Sequence, residues 1–306
     1  MNVLVTGGTG FVGREVVRFL CGNNHSVRLL VRDRAAPGLG EMLASPRVQA
    51  VAADILKPAS LAGALAGIDA VVHLVGIISQ VGRTTFEQVH VGGTRHMLAA
   101  ARAEGVARFV HMSALGTRPG AMSLYHQTKW AAEQEVRNSG LQWTIFRPSL
   151  IYGPADQFVN LFARISRFSP VVPLLGNRAA RFQPVSVPVV AKAFGMAMAE
   201  SQAVGQEYEL CGAERLTLEE ILDTILAVLG RRRVKLRVPA SMARFQARLL
   251  EWFFPSVLGK APPLNTDQII MLNEGNVGDG RAADRVFQLE HPRFRDGIAS
   301  YLRRAR

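Results

Sequence analysis

Cysteine is nearly absent from this chain, with two in 306 residues. Cys21 and Cys211 lie far apart in apolar surroundings. That scarcity excludes a disulfide framework and a cysteine-based metal site, and it predicts two buried thiols in a reducing compartment. None of the seven histidines has metal-ligand spacing, and His73, His111 and His126 read as core or cofactor-edge residues. Long apolar runs are lacking too: the longest candidate, Leu61 to Ile78, is broken by Asp69 and His73 and divides into a helix and a strand. No membrane span is predicted. Aromatics are 7% of the chain and are not interleaved with the basic clusters, which argues against a stacking surface for nucleic acid. Acidic residues are outnumbered, 24 against 36 Lys and Arg, for a net charge of +12. The deficit is uneven: residues 1–230 carry 21 basic and 17 acidic side chains, residues 231–306 carry 15 and 7. A negatively charged partner for the last quarter is implied.

Glycine, by contrast, is concentrated where it matters. The β-branched run Val3-Leu4-Val5 leads into Thr6-Gly7-Gly8-Thr9-Gly10-Phe11-Val12-Gly13. Glycines at i, i+3 and i+6 allow a tight turn, close approach of a pyrophosphate to backbone N–H groups, and close packing of helix on strand. The chain is predicted to open on a dinucleotide site. Because residues 2–6 already form the first strand, a cleavable leader would remove that site, and a cytoplasmic protein is expected.

The first half alternates strands (Asn2–Thr6, Ser26–Arg32, Val48–Ala52, Ala70–Leu74, Arg108–Met112, Gln142–Phe146) with helical patterns. That order predicts a doubly wound parallel sheet, a Rossmann-type α/β fold, over residues 1–150. From 151 to 306 the chain reads as a smaller, interleaved C-terminal region. Pro148, Pro154, Pro170, Pro173, Pro184 and Pro188 mark a loop-rich stretch expected to build the substrate side. A helix near Leu218–Leu229, a basic strand Arg232–Val238, a helix near Ser241–Phe254 and a Pro/Gly/Asn-rich tail follow.

Arg32 falls at the end of the second strand, where a carboxylate would bind the ribose hydroxyl of NAD; an arginine there favours the 2′-phosphate of NADP. Arg28 and Arg34 add positive potential, and Asp33 leaves NAD open. Asp54 follows the third strand and is placed either to meet the adenine or to cap a helix. Tyr125 and Lys129 are spaced i, i+4, so a helix presents both on one face; the lysine cation would lower the phenol's pKa and make Tyr125 an acid/base group. Ser113 ends the fifth strand, where its hydroxyl could hold a substrate oxygen.

These motifs, with His73-Leu74-Val75-Gly76 and Phe146-Arg147-Pro148-Ser149-Leu150-Ile151-Tyr152-Gly153-Pro154, resemble the extended or atypical branch of the short-chain dehydrogenase/reductase superfamily. The resemblance covers at least residues 1–230. It is closest to the group that includes the NADPH-binding accessory subunit of respiratory complex I and its bacterial relatives, in which Phe182-Gln183-Pro184-Val185, Thr266-Asp267-Gln268 and Asn276-Val277 are familiar. It implies catalysis by Ser113, Tyr125 and Lys129. Cofactor contacts are implied at Gly7, Thr9, Gly10, Phe11, Val12, Gly13, Arg32, Asp54, Ile55, Leu74, Val75, Gly76, Lys129, Pro148 and Ile151, with NADP(H) preferred and NAD(H) the alternative.

Two departures bear on function. His90 stands where extended reductases carry an asparagine that holds a proton-relay water, and Val187-Pro188-Val189-Val190 lacks the aspartate expected of sugar-nucleotide epimerases. The leading expectation is an oxidoreductase acting on an unidentified carbonyl or hydroxyl compound. The alternatives are a non-catalytic NADPH-binding accessory or assembly factor of a respiratory or membrane complex, and a nucleotide-sugar epimerase or dehydratase. Met242, Phe245, Leu249, Trp252 and Phe253 form one apolar helical face, with Arg244, Arg248 and Glu251 expected opposite. Its ordinary meaning is a helix packed on the core; the other is peripheral contact with a membrane or a partner through 231–306. Arg231-Arg232-Arg233 and the terminal Arg303-Arg304-Ala305-Arg306 could meet phosphates.

Overall fold

The computed structural model describes residues 1–254 and 261–303. Arg304, Ala305 and Arg306 of the terminal basic cluster lie outside the described residues. Strands β1 (Asn2–Thr6), β2 (Ser26–Val31), β3 (Val48–Ala52), β4 (Ala70–His73), β5 (Arg108–Met112) and β6 (Gln142–Pro148) form a parallel sheet, whose central strands β1, β4 and β5 are buried on both sides and whose edge strand β3 is not. Helices α1 (Phe11–Gly22), α2 (Leu39–Leu43), α3 (Gly93–Ala103) and α4 (Leu124–Arg137) lie between them. The expected alternation weakens at one place: only a 3₁₀ turn, Pro58–Leu61, separates β3 from β4.

The second half returns to this sheet. It contributes β7 (Ile151–Tyr152), α5 (Phe158–Phe168), β8 (Val171–Leu174), β9 (Arg181–Phe182), β10 (Val185–Ser186) and α6 (Val187–Met196), then β11 (Gln206–Leu210). Strand β11 pairs in parallel with β6 and completes a seven-stranded sheet ordered β11-β6-β5-β4-β1-β2-β3. The sequence reading missed β11, whose Gln206-Glu207-Tyr208-Glu209-Leu210 alternates polar and apolar residues as an edge strand does. After β12 (Leu216–Thr217) come α7 (Leu218–Leu229), with Thr217 and Glu220 forming a capping box and Gly230 closing it, β13 (Val234–Arg237) and α8 (Ala240–Phe253). The region expected to be a loop-rich tail holds three more helices, α9 (Thr266–Glu274), α10 (Arg281–Phe287) and α11 (Phe294–Leu302). A second capping box, Asn265 with Gln268, starts α9 and was overlooked behind the prolines before it.

One apolar layer, including Val16, Val17 and Leu20 of α1 and Val190 and Phe194 of α6, covers one face of the sheet. Another, including Met97 and Leu98 of α3 and Val136 of α4, covers the other. A third core, around Tyr152, Phe182, Ile221 and Ile298, binds α5, α7 and α11 together over the carboxyl end of the sheet's second half. Cys211 is buried and Cys21 half-buried, both as free thiols. Among the described residues no helix is long and apolar enough to cross a membrane.

Candidate active site

Strand order reverses beside β1, with β2 on one side and β4 on the other, and a crevice opens there at the carboxyl edge. The glycine turn fills it. Gly7 has φ +69°, a left-handed conformation that a side chain disfavours, and its carbonyl accepts from Gly10 N–H at 3.0 Å. A Cβ on Gly13 would lie 2.2 Å from Gly7 O and 2.6 Å from Gly8 Cα, so this helix packs on its own turn only as glycine. A Cβ on Gly10 would meet only Gly7 O within 4 Å, and Gly10 caps α1 with no side-chain acceptor. The first-turn N–H groups of α1 therefore face an open space suited to a pyrophosphate. Val12 is packed in the core and can offer only its backbone; Phe11 lies near Gly153, whose added Cβ would be 3.0 Å from its ring. The turn thus meets the Ile151–Gly153 segment that follows Pro148.

The basic residues beside it divide. Arg32 and Arg34 are exposed at the end of β2, while Asp33 accepts the Ala35 N–H at 2.8 Å. Arg28 does not face this edge: its guanidinium donates to the carbonyls of Ala64 and Ala66, at 3.0 and 2.8 Å, which corrects its expected part in the phosphate field. Arg14 was missed. It donates to Thr9 O at 3.0 Å and Pro37 O at 2.7 Å, tying the glycine turn to the loop after β2. Its place directly after Gly13 was the available signal. Asp54 closes its own turn by accepting Leu56 N–H at 2.9 Å and is not a helix cap, since the 3₁₀ turn that follows starts from Lys57. Ile55 packs over Gly93, and Leu74 donates its N–H to Thr6 at the switch between β1 and β4.

The second constellation is built by α4. Lys129 is buried and its Nζ donates to Met112 O at 2.9 Å, one residue before Ser113, while a Cβ on Gly76 would lie 3.1 Å from that nitrogen. Ser113 and Lys129 are thereby brought to the same place, with Tyr125 one turn earlier on the helix. The Tyr125 ring packs edge-on against Phe86, His90 and His126. Burial pushes its phenol up to about 12, and burial pushes Lys129 down to about 8. In the protein alone desolvation is the cause of the rise, with no lowering from Lys129, whose ammonium is directed at the Met112 carbonyl.

His90 sits in a π-helical turn, Glu87–Gly92, ahead of α3. His90 Nδ1 pairs with Thr128 Oγ1 at 2.9 Å, and Nε2 lies 3.1 Å from the Ile77 carbonyl and 3.2 Å from the Ile77 N–H, so both ring nitrogens are engaged. The ring is neutral, held at about 2 by burial and by Lys129. His73 is a satisfied core residue between Thr6 and Thr94, as expected, and its pKa falls to about 3 by burial. His111 is buried with neither ring nitrogen bonded.

Two supports arrive from far along the chain. Buried Glu133 receives Arg147 through Nε at 2.8 Å and Nη2 at 2.6 Å, and Arg137 at 2.8 Å, locking α4 to β6. Asp267 Oδ1 accepts Leu124 N–H at 2.7 Å at the start of α4, and Asn265 Nδ2 donates to Ile78 O and Ser79 Oγ, each at 2.7 Å. Asn276 pairs with the Phe182–Gln183 segment through N–H to Arg181 O at 2.7 Å and O from Gln183 N–H at 3.0 Å. Beyond Ser113, a cavity of about 500 Å³ is lined by Leu115, Arg118, Arg181, Glu274 and Asn276.

Such a crevice, with its glycine cradle and Ser/Tyr/Lys set, defines a dinucleotide-binding α/β protein of the dehydrogenase type. The comparisons agree: a family model described as NAD(P)H-binding matches residues 7–161. The chain is 30% identical over 319 residues to a 3 beta-hydroxysteroid dehydrogenase/Delta 5→4-isomerase of Mycobacterium tuberculosis, covering 92% of this chain and 84% of that one. It is 28% identical to the mitochondrial NADH dehydrogenase (ubiquinone) 1 alpha subcomplex subunit 9 of Arabidopsis thaliana, covering 89% and 68%. A crystal structure of dTDP-glucose 4,6-dehydratase from Streptomyces venezuelae with NAD bound shares the fold, with TM-score 0.75 and 24% identity over 99% of this chain and 96% of that one. This chain belongs to the NAD(P)H-binding family, within the short-chain dehydrogenase/reductase and epimerase/dehydratase group.

Proposed function

We propose that this protein is an NADP(H)-dependent oxidoreductase that interconverts a carbonyl and a hydroxyl group on an apolar substrate. The observation that carries the reading is the meeting of Lys129 Nζ with the Met112–Ser113 peptide beside Gly76, one helical turn from Tyr125. The bound dinucleotide supplies the hydride. Ser113 donates its hydroxyl to the substrate oxygen and orients it. Tyr125, fully protonated at neutral pH, gives its proton to that oxygen as the carbonyl carbon is reduced. Lys129 holds positive charge beside the developing phenolate below its pKa of about 8. The steroid named for the mycobacterial relative supports an apolar substrate bearing a secondary alcohol or ketone. Preference for the 2′-phosphate is supported by Arg32, exposed where β2 ends, and by Asp33, whose carboxylate is engaged by its own turn.

The test combines cofactor thermal shifts with turnover of an apolar ketone panel. Arg32→Ala should weaken NADPH roughly ten- to hundredfold and leave NADH unchanged. Tyr125→Phe should lower NADPH oxidation by about 10²–10⁴-fold with NADPH affinity intact. A second reading, an accessory factor that retains NADPH without turnover, is favoured by His90, whose two nitrogens are committed to Thr128 and Ile77 where a relay would need them free. In that case NADPH co-purifies and Tyr125→Phe changes nothing.

A further inference from the structure

Helix α8 is built inside out. Ala243 and Ala247 are fully buried and pack with Ile269 of α9, while Glu251 accepts both the N–H and the hydroxyl of Thr266 at 2.8 Å. The large side chains point the other way: Met242, Phe245, Leu249, Trp252 and Phe253 are 53, 64, 50, 68 and 43% exposed. The expectation that this face packs on the core is therefore overturned; small residues at i and i+4 let α9 approach closely, and the apolar stripe, at 100° per residue, falls on the far side of the helix. Exposed Arg244 and Arg248 flank the stripe between it and the buried side, and neither has an ion-pair partner among the described residues.

We propose that this face of α8 seats the protein on an anionic phospholipid bilayer, with Phe245, Leu249 and Trp252 entering the headgroup boundary and Arg244 and Arg248 pairing with lipid phosphates. Charge chooses the occupant: two unpaired arginines beside an apolar stripe, within a quarter of the chain carrying 15 basic and 7 acidic side chains, complement an anionic interface. Arginine stems can lie along the apolar layer while their heads stay in the phosphate zone, and an indole suits the same depth. The proposal is independent of the oxidoreductase reading, because α8 contributes nothing to the glycine cradle or to α4.

The full chain is tested by flotation with vesicles of phosphatidylcholine alone and of phosphatidylcholine and phosphatidylglycerol in equal parts. Binding to the anionic vesicles, weakened by salt, is expected, with a blue shift of tryptophan emission that Trp252→Phe reduces. Phe245→Ser with Trp252→Ser should weaken binding about a hundredfold, and Arg244→Gln with Arg248→Gln on the order of 30-fold. Both pairs are exposed, so NADPH thermal shifts should be unchanged and report that each variant is folded. Absence of binding to either vesicle, or binding that survives both double substitutions, would overturn the proposal. So would a dimer in sedimentation that Phe245→Ser with Trp252→Ser dissolves, since the face would then be covered by a second copy.

Discussion

The two walls of the crevice are made in opposite ways. The cofactor wall is local: Gly7, Gly10 and Gly13 close on each other through one hydrogen bond and one close contact, and the residues that shape it span seven positions. The wall proposed for proton transfer is assembled from afar. Tyr125 and Lys129 ride on a helix whose first N–H is held by Asp267, whose side is clamped by Arg147, and whose neighbour His90 arrives from a π-helical turn. Backbone geometry secures one wall, and side chains from two later segments and one earlier one secure the other. The cofactor wall should survive damage that disables its counterpart.

Glu133→Ala strikes the clamp hardest. Removing the carboxylate takes the buried partner from Arg147 and Arg137 and leaves both only the more exposed Glu207, and the loss of one member of a buried ion network costs about 3–5 kcal/mol. Urea unfolding should show that drop. The surviving folded fraction should bind NADPH with unchanged affinity, and a parallel loss of affinity would mean that the walls are not independent.

Asp267→Ala makes a smaller cut at the other end of α4. It removes an acceptor from the first turn, a loss of about 0.5–2 kcal/mol in stability. The informative readout is kinetic. Because Leu124 adjoins Tyr125, kcat should fall while KM for NADPH stays at the wild-type value; a rise in KM with constant kcat would place Asp267 on the cofactor side instead.

The same contrast decides what could be read in the sequence. Thr6 to Gly13 announced itself because the contacts among its glycines lie within a few residues, so a spacing rule captures it. Ser113, Tyr125 and Lys129 were legible as residue types, but nothing near them in sequence states that Asp267 and Arg147 hold their helix. The late segments Thr266-Asp267-Gln268 and Asn276-Val277 were noticed only through family resemblance, and the structure supplies their physical reason in the bonds to Leu124 and to the Phe182–Gln183 strand. Periodicity marked the apolar stripe of α8 correctly and its direction wrongly, since Ala243 and Ala247 carry too little hydrophobicity to outvote Trp252 and Phe245 on any sequence scale, yet close packing with Ile269 needs small residues. Strand β11 escaped because its partner, β6, lies some sixty residues earlier.

Lys129 gives the finest test, through pH. Its folded pKa, about 8, lies below the ordinary 10.5 because burial disfavours the ammonium. Below the folded value both states are protonated and the buried charge costs stability in full. Between the two values the unfolded chain binds more protons than the folded one, so stability rises with pH through that window. Tyr125, raised to about 12, stays protonated throughout it in the folded state. The melting temperature of the wild type, referenced to Lys129→Met, should therefore climb from about pH 8 to about 9.5 by the equivalent of roughly 1.5 kcal/mol. NADPH binding to the glycine wall should show no matching step. A flat difference would mean that Lys129 keeps its charge in the folded protein, held by Glu133 more firmly than burial opposes it, and the wall proposed for proton transfer would then carry a fixed cation next to Tyr125.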